Sequence, residues 1–96
     1  MIKLPQKEIA AFCRKHHIAR LSIFGSALTD NFGPDSDVDF LVEFEPGYVP
    51  GLIRFAGMEL ELTALIGRKA DLRTPAELSK YFRDDVLAAA VVQYAR

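Results

Sequence analysis

Two aspartates separated by one residue are the strongest chemical feature of this 96-residue sequence. Asp37 and Asp39 stand at the head of an apolar run, Phe40-Leu41-Val42, which predicts a strand. Alternate residues of a strand share a face, so we expect both carboxylates to point the same way, with Cα atoms roughly 6.5–7 Å apart. Two unpaired carboxylates repel each other, and strands disfavour aspartate. Hard divalent cations would compensate, and two converging side chains can reach paired magnesium ions about 3.5–4 Å apart.

A glycine-serine pair lies upstream of these acids, and ten residues separate Ser26 from Asp37. The pair follows an alternating segment, 18–24, that predicts a strand, and it opens a short predicted helix. At such a turn Gly25 would let a ligand approach the backbone closely. The amides that open the helix can hold an anion, and Ser26 can add a hydroxyl group. A Gly-Ser turn alone is usually only a turn, so the two aspartates carry much of this interpretation.

A third acid, Asp71, lies between Ala70 and Leu72 in a short strand predicted over Lys69–Arg73. An isolated acid between apolar neighbours is also what the exposed position of an edge strand would show. If this strand lies beside the strand predicted at Val38–Phe44, the two are about 4.8 Å apart. Asp71 could then supply a third metal ligand or a general base.

The spacing of the residues excludes a calcium loop, a zinc site and a serine-hydrolase nucleophile. A calcium loop starting at Asp35 needs glycine at its sixth position and glutamate at its twelfth, where this chain has Phe40 and Pro46. His16 and His17 are adjacent, so they cannot share a helical face, and no Cys/His cluster completes a zinc site. The serine of the Gly-Ser pair lacks the Gly-x-Ser-x-Gly elbow of a hydrolase.

Composition narrows the class of protein further. Half of the residues are hydrophobic, which suits one domain over 1–96, and no apolar run is long enough to span a membrane. The N-terminus lacks a secretory signal, and Cys13 is expected to be a buried thiol, so we expect a cytoplasmic protein. Residues 21–67 carry one basic and eight acidic side chains, a local charge of −7. This concentration favours bound metal over a nucleic-acid surface, which would require a basic stripe.

The helices and strands that must position these residues are predicted from the spacing of hydrophobic residues and from glycine and proline, which interrupt regular structure. These signals predict the order α-β-α-β-α-β-α-α, an α/β (α+β) fold with a small mixed sheet of about three strands and helices packed against it. The predicted elements are a helix from Pro5 to His16, strand Ile18–Phe24, helix Ser26–Phe32, strand Val38–Phe44, helix Leu52–Ile66 capped by Gly67, strand Lys69–Arg73, a capping box at Thr74–Glu77 continuing through Leu78–Phe82, and a final helix Asp84–Tyr94.

The set Gly25-Ser26, ten residues, Asp37-Val38-Asp39 resembles the Gly-Ser-x10-Asp-x-Asp signature of the DNA polymerase β-like nucleotidyltransferases. The short length and the segment 67–75 resemble the minimal (MNT) branch, and the similarity covers roughly residues 18 to 82. The resemblance implies that Asp37 and Asp39 hold magnesium, two ions in all, and that Asp71 completes the site. It also implies that Gly25 and Ser26 hold the phosphates of the nucleotide.

For function, the resemblance implies an antitoxin that transfers AMP from Mg-ATP to a hydroxyl group, typically of tyrosine, on a HEPN-domain toxin. An in-line attack on the α-phosphate would expel pyrophosphate, with Asp71 activating the acceptor, and the two proteins would form a hetero-oligomer. Thr29 stands where many minimal members carry arginine. That departure leaves an alternative open, a catalytically impaired binding module that neutralises its partner by contact through Leu87, Val91 and Tyr94. In a third interpretation the acids are merely solvated and the domain has no chemistry.

Overall fold

A mixed four-stranded sheet with three helices forms the fold in the computed structural model, which describes residues 3–29 and 32–96. The strands follow the order β3-β2-β1-β4, with β1 antiparallel to both neighbours and β2 parallel to β3. In chain order the elements are α1 (Gln6–Lys15), β1 (Ile18–Phe24), a first 3-10 turn (Gly25–Leu28), β2 (Val38–Phe44), α2 (Leu52–Ile66), β3 (Ala70–Arg73), a second 3-10 turn (Pro75–Glu77), α3 (Arg83–Ala89) and β4 (Val91–Ala95).

One face of the sheet builds the hydrophobic core. Ile23 and Phe40 are register partners on that face and are fully buried. The core also contains Ile9, Phe12 and Cys13 of α1, Leu21 of β1, Val38 and Val42 of β2, Met58 and Leu62 of α2, and Ala70 and Leu72 of β3. Because strand residues alternate, the residues between them project from the opposite face. That opposite face carries Asp39 and Asp71, and we call it the acid face.

Most of the predicted elements are confirmed. Strands β1 and β2 have the predicted bounds, and helix α2 ends at Ile66 with Gly67 as its C-terminal cap, in the left-handed conformation at φ 76°. The capping box is present at the second 3-10 turn, where Oε1 of Glu77 accepts hydrogen bonds from the amide and the hydroxyl of Thr74 at 3.2 Å. The α+β class with a mixed sheet is therefore confirmed.

The predicted final helix at Asp84–Tyr94 and the count of about three strands are wrong. Helix α3 ends at Ala89, and the chain continues as β4, which pairs with the otherwise free edge of β1. The apolar spacing over this segment suited a helix, but its β-branched and aromatic residues also suit a strand. Pairing with β1 decides between the two, and it is a tertiary interaction that no local pattern contains.

The short helix predicted at Ser26–Phe32 is also corrected. The structure has only a 3-10 turn that stops at Leu28, and Thr29 is already extended at φ −119° and ψ 164°. Asp30 and Asn31, which the predicted helix included, lie outside the described residues.

Two smaller bounds differ as well. The continuation predicted at Leu78–Phe82 is not helical, because Leu78 is already extended at φ −76° and ψ 143°. The carbonyls of Pro75 and Leu78 accept hydrogen bonds from the Arg83 side chain at 2.8 and 3.0 Å. Strand β3 begins one residue later than predicted, at Ala70.

Helix α2 covers the outer edge of β3 with two side-chain hydrogen bonds. The amide of Leu72 donates to Oε2 of Glu59 at 2.8 Å, and the amide of Ala70 donates to Oγ1 of Thr63 at 3.0 Å. These bonds satisfy backbone donors that an edge strand would otherwise expose. They also fix β3 in register beside β2, which sets the position of Asp71. In the parts of the chain described, no helix has the length and apolar character needed to cross a membrane.

Candidate active site

Asp39 and Asp71 face each other across the parallel pair β2–β3. Their Cα atoms are register partners, as are those of Asp39 and Phe24 on the antiparallel side. Neighbouring strands lie about 4.8 Å apart, so the two carboxyl groups start from adjacent positions on the acid face. Gly25 immediately follows β1 and opens the first 3-10 turn. The structure thus brings together, at one end of the sheet, three of the residues selected from the sequence.

Gly25 packs directly against the carboxylate of Asp39. Its φ of 71° lies in the left-handed region, and a Cβ atom at this position would stand 2.6 Å from Oδ2 of Asp39. Glycine is therefore required here both for the backbone conformation and for the close approach. No other residue type would let the acid and the turn occupy these positions together.

The first 3-10 turn presents Ser26 at the surface beside the acids, where Ser26 is exposed. Phe24, which precedes the turn, has no side-chain oxygen that could cap the opening amides. Such amides, together with a serine hydroxyl, form an anion-binding concavity. Thr29 closes the turn from its other end, because both its amide and its hydroxyl donate to the carbonyl oxygen of Ser26, at 3.0 and 2.9 Å. Thr29 thus shapes the turn.

The three acids influence one another electrostatically. Burial, and next the charge of Asp71, raise the pKa of the Asp39 carboxyl above its ordinary value. The positive charge of Arg73 opposes this rise, while Asp37 adds to it. Asp37 itself is exposed, immediately before β2. Asp39 is therefore the acid that would gain most from a cation at this end of the sheet.

Two cations flank Asp71 along the chain, Lys69 just before β3 and Arg73 at its end. Nζ of Lys69 lies 3.9 Å from Oδ1 of Asp71, and the positive charge of Arg73 acts on Asp39 across the strand pair. Residues 69, 71 and 73 alternate along the chain, so they share the acid face. We did not single out these cations from the sequence, although this alternation was the available signal. They place positive charge beside a site that would bind phosphate.

The carboxylates at this end of the sheet could bind a magnesium ion only if other groups, such as nucleotide phosphates and water, supply its remaining ligands. Within 3–29 and 32–96, no group of three His, Cys, Asp or Glu side chains is arranged to hold a metal ion. Carboxylate oxygens that lie close together on one face are nevertheless suitable ligands for a hard cation. Magnesium commonly binds one or two carboxylates and takes its remaining ligands from water and from substrate phosphates. The residues therefore suit a metal-nucleotide complex better than a free ion.

Arg68 was missed by the sequence analysis and organises the loop in front of Asp37. Its Nη2 donates to the carbonyl oxygen of Gly33 and to that of Ser36, the latter at 3.0 Å. Its guanidinium group lies over the ring of Phe32, with Cζ 4.3 Å from the ring centroid. These contacts hold the loop that leads directly into Asp37. No local pattern signals such a role, because both acceptors are backbone carbonyls.

The cysteine and the two histidines lie away from the acids and make packing or hydrogen-bond contacts within the fold. Burial raises the pKa of the Cys13 thiol to about 12, which leaves it protonated and unreactive at neutral pH. His16 is buried, and its Nε2 lies 3.0 Å from Oε1 of Glu61. His17 stacks on Tyr48, with ring centroids 3.8 Å apart. The expectation of a buried thiol is confirmed.

The exposed Gly-Ser turn and the paired acids lie together at one end of a mixed sheet. The family model of the nucleotidyltransferase domain matches residues 6–92. The chain belongs to this family.

Two relatives are similar over most of their length. A candidate protein adenylyltransferase of Methanocaldococcus jannaschii is 31% identical over 86 residues, which are 90% of this chain and 90% of that protein. The protein adenylyltransferase MntA of Thermococcus cleftensis is 35% identical over 74 residues, which are 77% of this chain and 73% of that protein.

Solved structures show the same fold. A structure described as that of a candidate minimal nucleotidyltransferase has a TM-score of 0.73 at 31% identity, covering 90% of this chain and 86% of that one. A chain in a toxin–antitoxin crystal structure with AMP-PNP has a TM-score of 0.77 at 17% identity, covering 97% of this chain and 75% of that one. At 17% identity the second similarity concerns the fold.

Proposed function

We propose that this chain transfers the AMP group of magnesium-bound ATP to a hydroxyl group on a protein partner. The observation that carries the proposal is the pairing of Asp39 with Asp71 beside Gly25, at the end of the sheet where the exposed turn begins. The proposal assigns the phosphates to the amides and hydroxyl of Gly25 and Ser26. It assigns the metal to Asp37, Asp39 and Asp71.

In the proposed reaction the acceptor oxygen attacks the α-phosphorus in line. The bond between that phosphorus and the bridging oxygen of pyrophosphate breaks, and pyrophosphate leaves with the electron pair. Asp71 takes the proton of the acceptor hydroxyl, since it is partly exposed at 22% and lies beside Asp39. Magnesium held by Asp37, Asp39 and Asp71 would supply charge neutralisation along the phosphates. Asp39, held against Gly25, keeps its carboxylate oriented toward that charge.

The proposed partner is a HEPN-domain toxin, with a tyrosine as the acceptor, and the setting is the cytoplasm. The name of the Thermococcus relative and the MntA–HepT toxin–antitoxin complex among the structural neighbours support this choice. The chain also exposes apolar side chains suited to a protein partner, with Leu52 at 86% and Ile53 at 90% exposure. They stand at the start of α2 beside the exposed Tyr48 and Val49.

A second candidate function is neutralisation of the partner by contact alone. It is favoured by Thr29, whose side chain is engaged with Ser26 and offers no cation to the phosphates. The exposed residues that would make such a contact include those on α2, while Tyr94 is partly buried against the core. Lys69 and Arg73 weigh against this contact-only function. They bring positive charge to the acid face, and so they could replace the phosphate contact that an arginine at position 29 would make.

Intact-mass measurement of the purified partner after incubation with the chain, ATP and magnesium tests the proposal. We expect an increase equal to one or more AMP groups with the wild-type chain and none with Asp37→Asn. An unmodified partner, or a modification that survives Asp37→Asn, would overturn the transferase assignment. Partner inhibition that persists without ATP, and with Asp37→Asn and Asp39→Asn combined, would establish the contact mechanism instead.

A further inference from the structure

The outward side of α2 is apolar and uncovered in the part of the chain that the structure describes. Met58 and Leu62 of this helix are buried against the sheet, so its opposite side faces solvent. Ile53 is 90% exposed on that side and Leu60 is 72% exposed. Single exposed apolar residues need no explanation, but these two belong to one line along the helix. The line, which we call the outer stripe, consists of Ile53, Gly57, Leu60 and Ala64, all of them exposed.

The members of the outer stripe follow one another at intervals of four, three and four residues. This alternation is that of the a and d positions of a heptad, by which one helix packs along another. A helix side that remains in solvent carries polar residues at these positions instead. The spacing therefore favours a second helix lying along α2.

Gly57 has no role within its own chain that requires glycine. It lies in the interior of α2, its φ is not positive, and a Cβ on it would have no described atom within 4 Å. Glycine in a helix interior is less favourable than almost any other residue. It does allow another backbone to approach closely. Gly57 thus marks the point at which a second helix would come nearest to α2.

A second copy of α2 that runs antiparallel to the first fits the outer stripe. A two-fold symmetric contact uses the same patch on both chains, so the patch must be complementary to itself. When Gly57 of one copy lies opposite Leu60 of the other, Ile53 lies opposite Ala64. Each large side chain then meets a small residue, and the two helices can interdigitate.

The charged residues beside the outer stripe are complementary in the same arrangement. Arg54 and Glu61 are seven residues apart, so they lie on one flank of α2. In the antiparallel pair, Arg54 of each copy comes beside Glu61 of the other, which gives two ion pairs across the interface. Lys15 already holds the Glu61 carboxylate, with its Nζ 3.2 Å from Oε2, and 37% of that side chain is exposed. The carboxylate is therefore fixed at the surface where Arg54 of a second copy would arrive.

The position of the outer stripe argues against the acceptor protein as its occupant. Helix α2 covers the core side of the sheet, whereas Asp39 and Asp71 lie on the acid face, on the other side. A protein bound to the outer stripe would be separated from the acids by the sheet and by a helix about 10 Å thick. A second copy bound there leaves both acid faces open. Leu52 lies about 100° around the helix from Ile53, so it stays available to the acceptor protein.

We propose that the chain forms a two-fold symmetric dimer through the outer stripe, with the two α2 helices antiparallel. Gly57 is the point of closest approach, and Arg54 of each copy pairs with Glu61 of the other. The two proposed reaction centres face away from the interface. This inference goes beyond the proposed transfer and does not depend on it.

Sedimentation equilibrium of the full chain at several protein concentrations tests the dimer. We expect a monomer–dimer equilibrium for the wild type. Ile53→Gln should weaken association at least about tenfold, as is typical of a residue at the centre of an interface. Leu52→Gln is the matched control, because Leu52 is 86% exposed but lies off the outer stripe. It should change the dimerisation constant by no more than about twofold.

Gly57→Gln separates an interface role from a role in folding. Glutamine favours a helix over glycine, and the added side chain meets no described atom of its own chain. We therefore expect a higher melting temperature at concentrations where the chain is monomeric. The same variant should weaken dimerisation at least about tenfold, because its side chain occupies the space of the second helix. A change in both quantities in the same direction contradicts the proposal.

A charge exchange tests the antiparallel arrangement. Arg54→Glu and Glu61→Arg should each weaken self-association, because each places like charges opposite one another. An equimolar mixture of the two variants should restore a dimer, since both cross-pairs are then oppositely charged. Because Glu61 also contacts His16, circular dichroism checks that Glu61→Arg remains folded. If it does not, the variants at residues 53 and 57 decide the question.

Three results overturn the proposal. The first is a wild-type chain that remains monomeric at about 1 mM, which corresponds to very weak association. The second is a dimer that Ile53→Gln and Leu52→Gln weaken equally. The third is an Ile53→Gln variant that dimerises as the wild type does and binds only the acceptor protein less tightly. In that case the outer stripe belongs to the acceptor protein. Transfer of AMP is measured separately, so none of these results decides the proposed reaction.

Discussion

Gly25 and Asp39 are packed so closely that a single methyl group between them is excluded, since a Cβ on residue 25 would lie 2.6 Å from Oδ2 of the aspartate. The contact joins the turn that would hold phosphate to the acid that would hold metal. Both groups are therefore positioned by one another as well as by their strands. A change at residue 25 must move one of them.

Gly25→Ala should abolish transfer while leaving the chain folded. The left-handed φ of 71° costs alanine about 1–2 kcal/mol, and the clash displaces the Asp39 carboxylate. A displacement of about 1 Å can lower a rate by about 100-fold, and we expect a loss of at least that size in kcat/KM. Gly47→Ala is the matched control, because Gly47 has a φ of 85° but no atom within 4 Å of its added Cβ. Equal activity of the two variants would show that the Gly25–Asp39 contact has no role in the reaction.

Asp39→Asn should lower activity and raise thermal stability together. Burial and the charge of Asp71 raise the pKa of Asp39, so the folded state binds the proton more tightly than the unfolded state does. The ionised carboxylate consequently destabilises the folded state at neutral pH, and this cost is absent below its ordinary value of 3.8.

We expect transfer by Asp39→Asn to fall by about 100- to 1000-fold, as when a group that stabilises transition-state charge is removed. The melting temperature should rise by a few degrees at neutral pH, with no gain at about pH 3, where carboxylates are protonated. Asp35→Asn, at an exposed position before the acids, is the control and should change neither quantity. A melting temperature for Asp39→Asn that is lower than wild type at neutral pH would contradict the proposed repulsion.

Arg68→Met should raise the magnesium requirement of the reaction. The substitution removes the donors to the carbonyls of Gly33 and Ser36, so the loop that leads into Asp37 loses its anchor. We expect a loss of about 1–3 kcal/mol in stability and faster amide hydrogen exchange over residues 33–37. Arg68→Lys should recover part of both, because an ammonium group is a point charge that can reach one carbonyl at a time. An unchanged magnesium dependence in Arg68→Met would restrict Arg68 to a purely structural role.

Glu61→Gln should destabilise the fold without affecting the nucleotide site. Partial burial acts to raise the pKa of Glu61, but hydrogen bonds from His16 and Lys15 outweigh it and lower the pKa below its ordinary value. The ionised carboxylate thus stabilises the folded state above its ordinary pKa of 4.5, and this stability is lost as pH falls through the lowered folded-state value.

For Glu61→Gln we expect a loss of about 1 kcal/mol at neutral pH, which corresponds to about 4–8 °C in melting temperature for a domain of this size. Glu43→Gln serves for comparison, because the Arg20–Glu43 pair spans 4.0 Å between largely exposed groups. Its effect should stay within about 0.5 kcal/mol. Similar losses from the two substitutions would argue against a special role of the His16 contact.

The sequence predicted those parts of the fold that depend on local spacing. Strands β1 and β2 and the glycine cap of α2 follow from alternation and from a residue type that tolerates positive φ. Strand β4 could not be found in this way, because its apolar residues fit a helix equally well until β1 offers a free edge.

In the candidate site, too, local spacing predicted some residues, while others depended on contacts between distant parts of the chain. Asp37 and Asp39 were selected as candidates from their spacing, whereas the position of Asp71 depended on a strand pairing that only the structure could supply. The roles of Arg68 and Arg83 rest on backbone carbonyls, which carry no signature in residue type.

The candidate site and the pocket beside it are built from two parts of the chain, the β1–β3 part and the segment that connects β3 to β4. β3 and β4 are the opposite edges of the sheet, so residues 74–90 must cross its full width before the last strand pairs. The acids and the turn belong to the β1–β3 part, while α3, on the crossing segment, forms one side of a pocket that Phe24 and Gly25 also line. If β4 were to detach as a cooperative unit, the carboxylates would stay in place and the pocket would open.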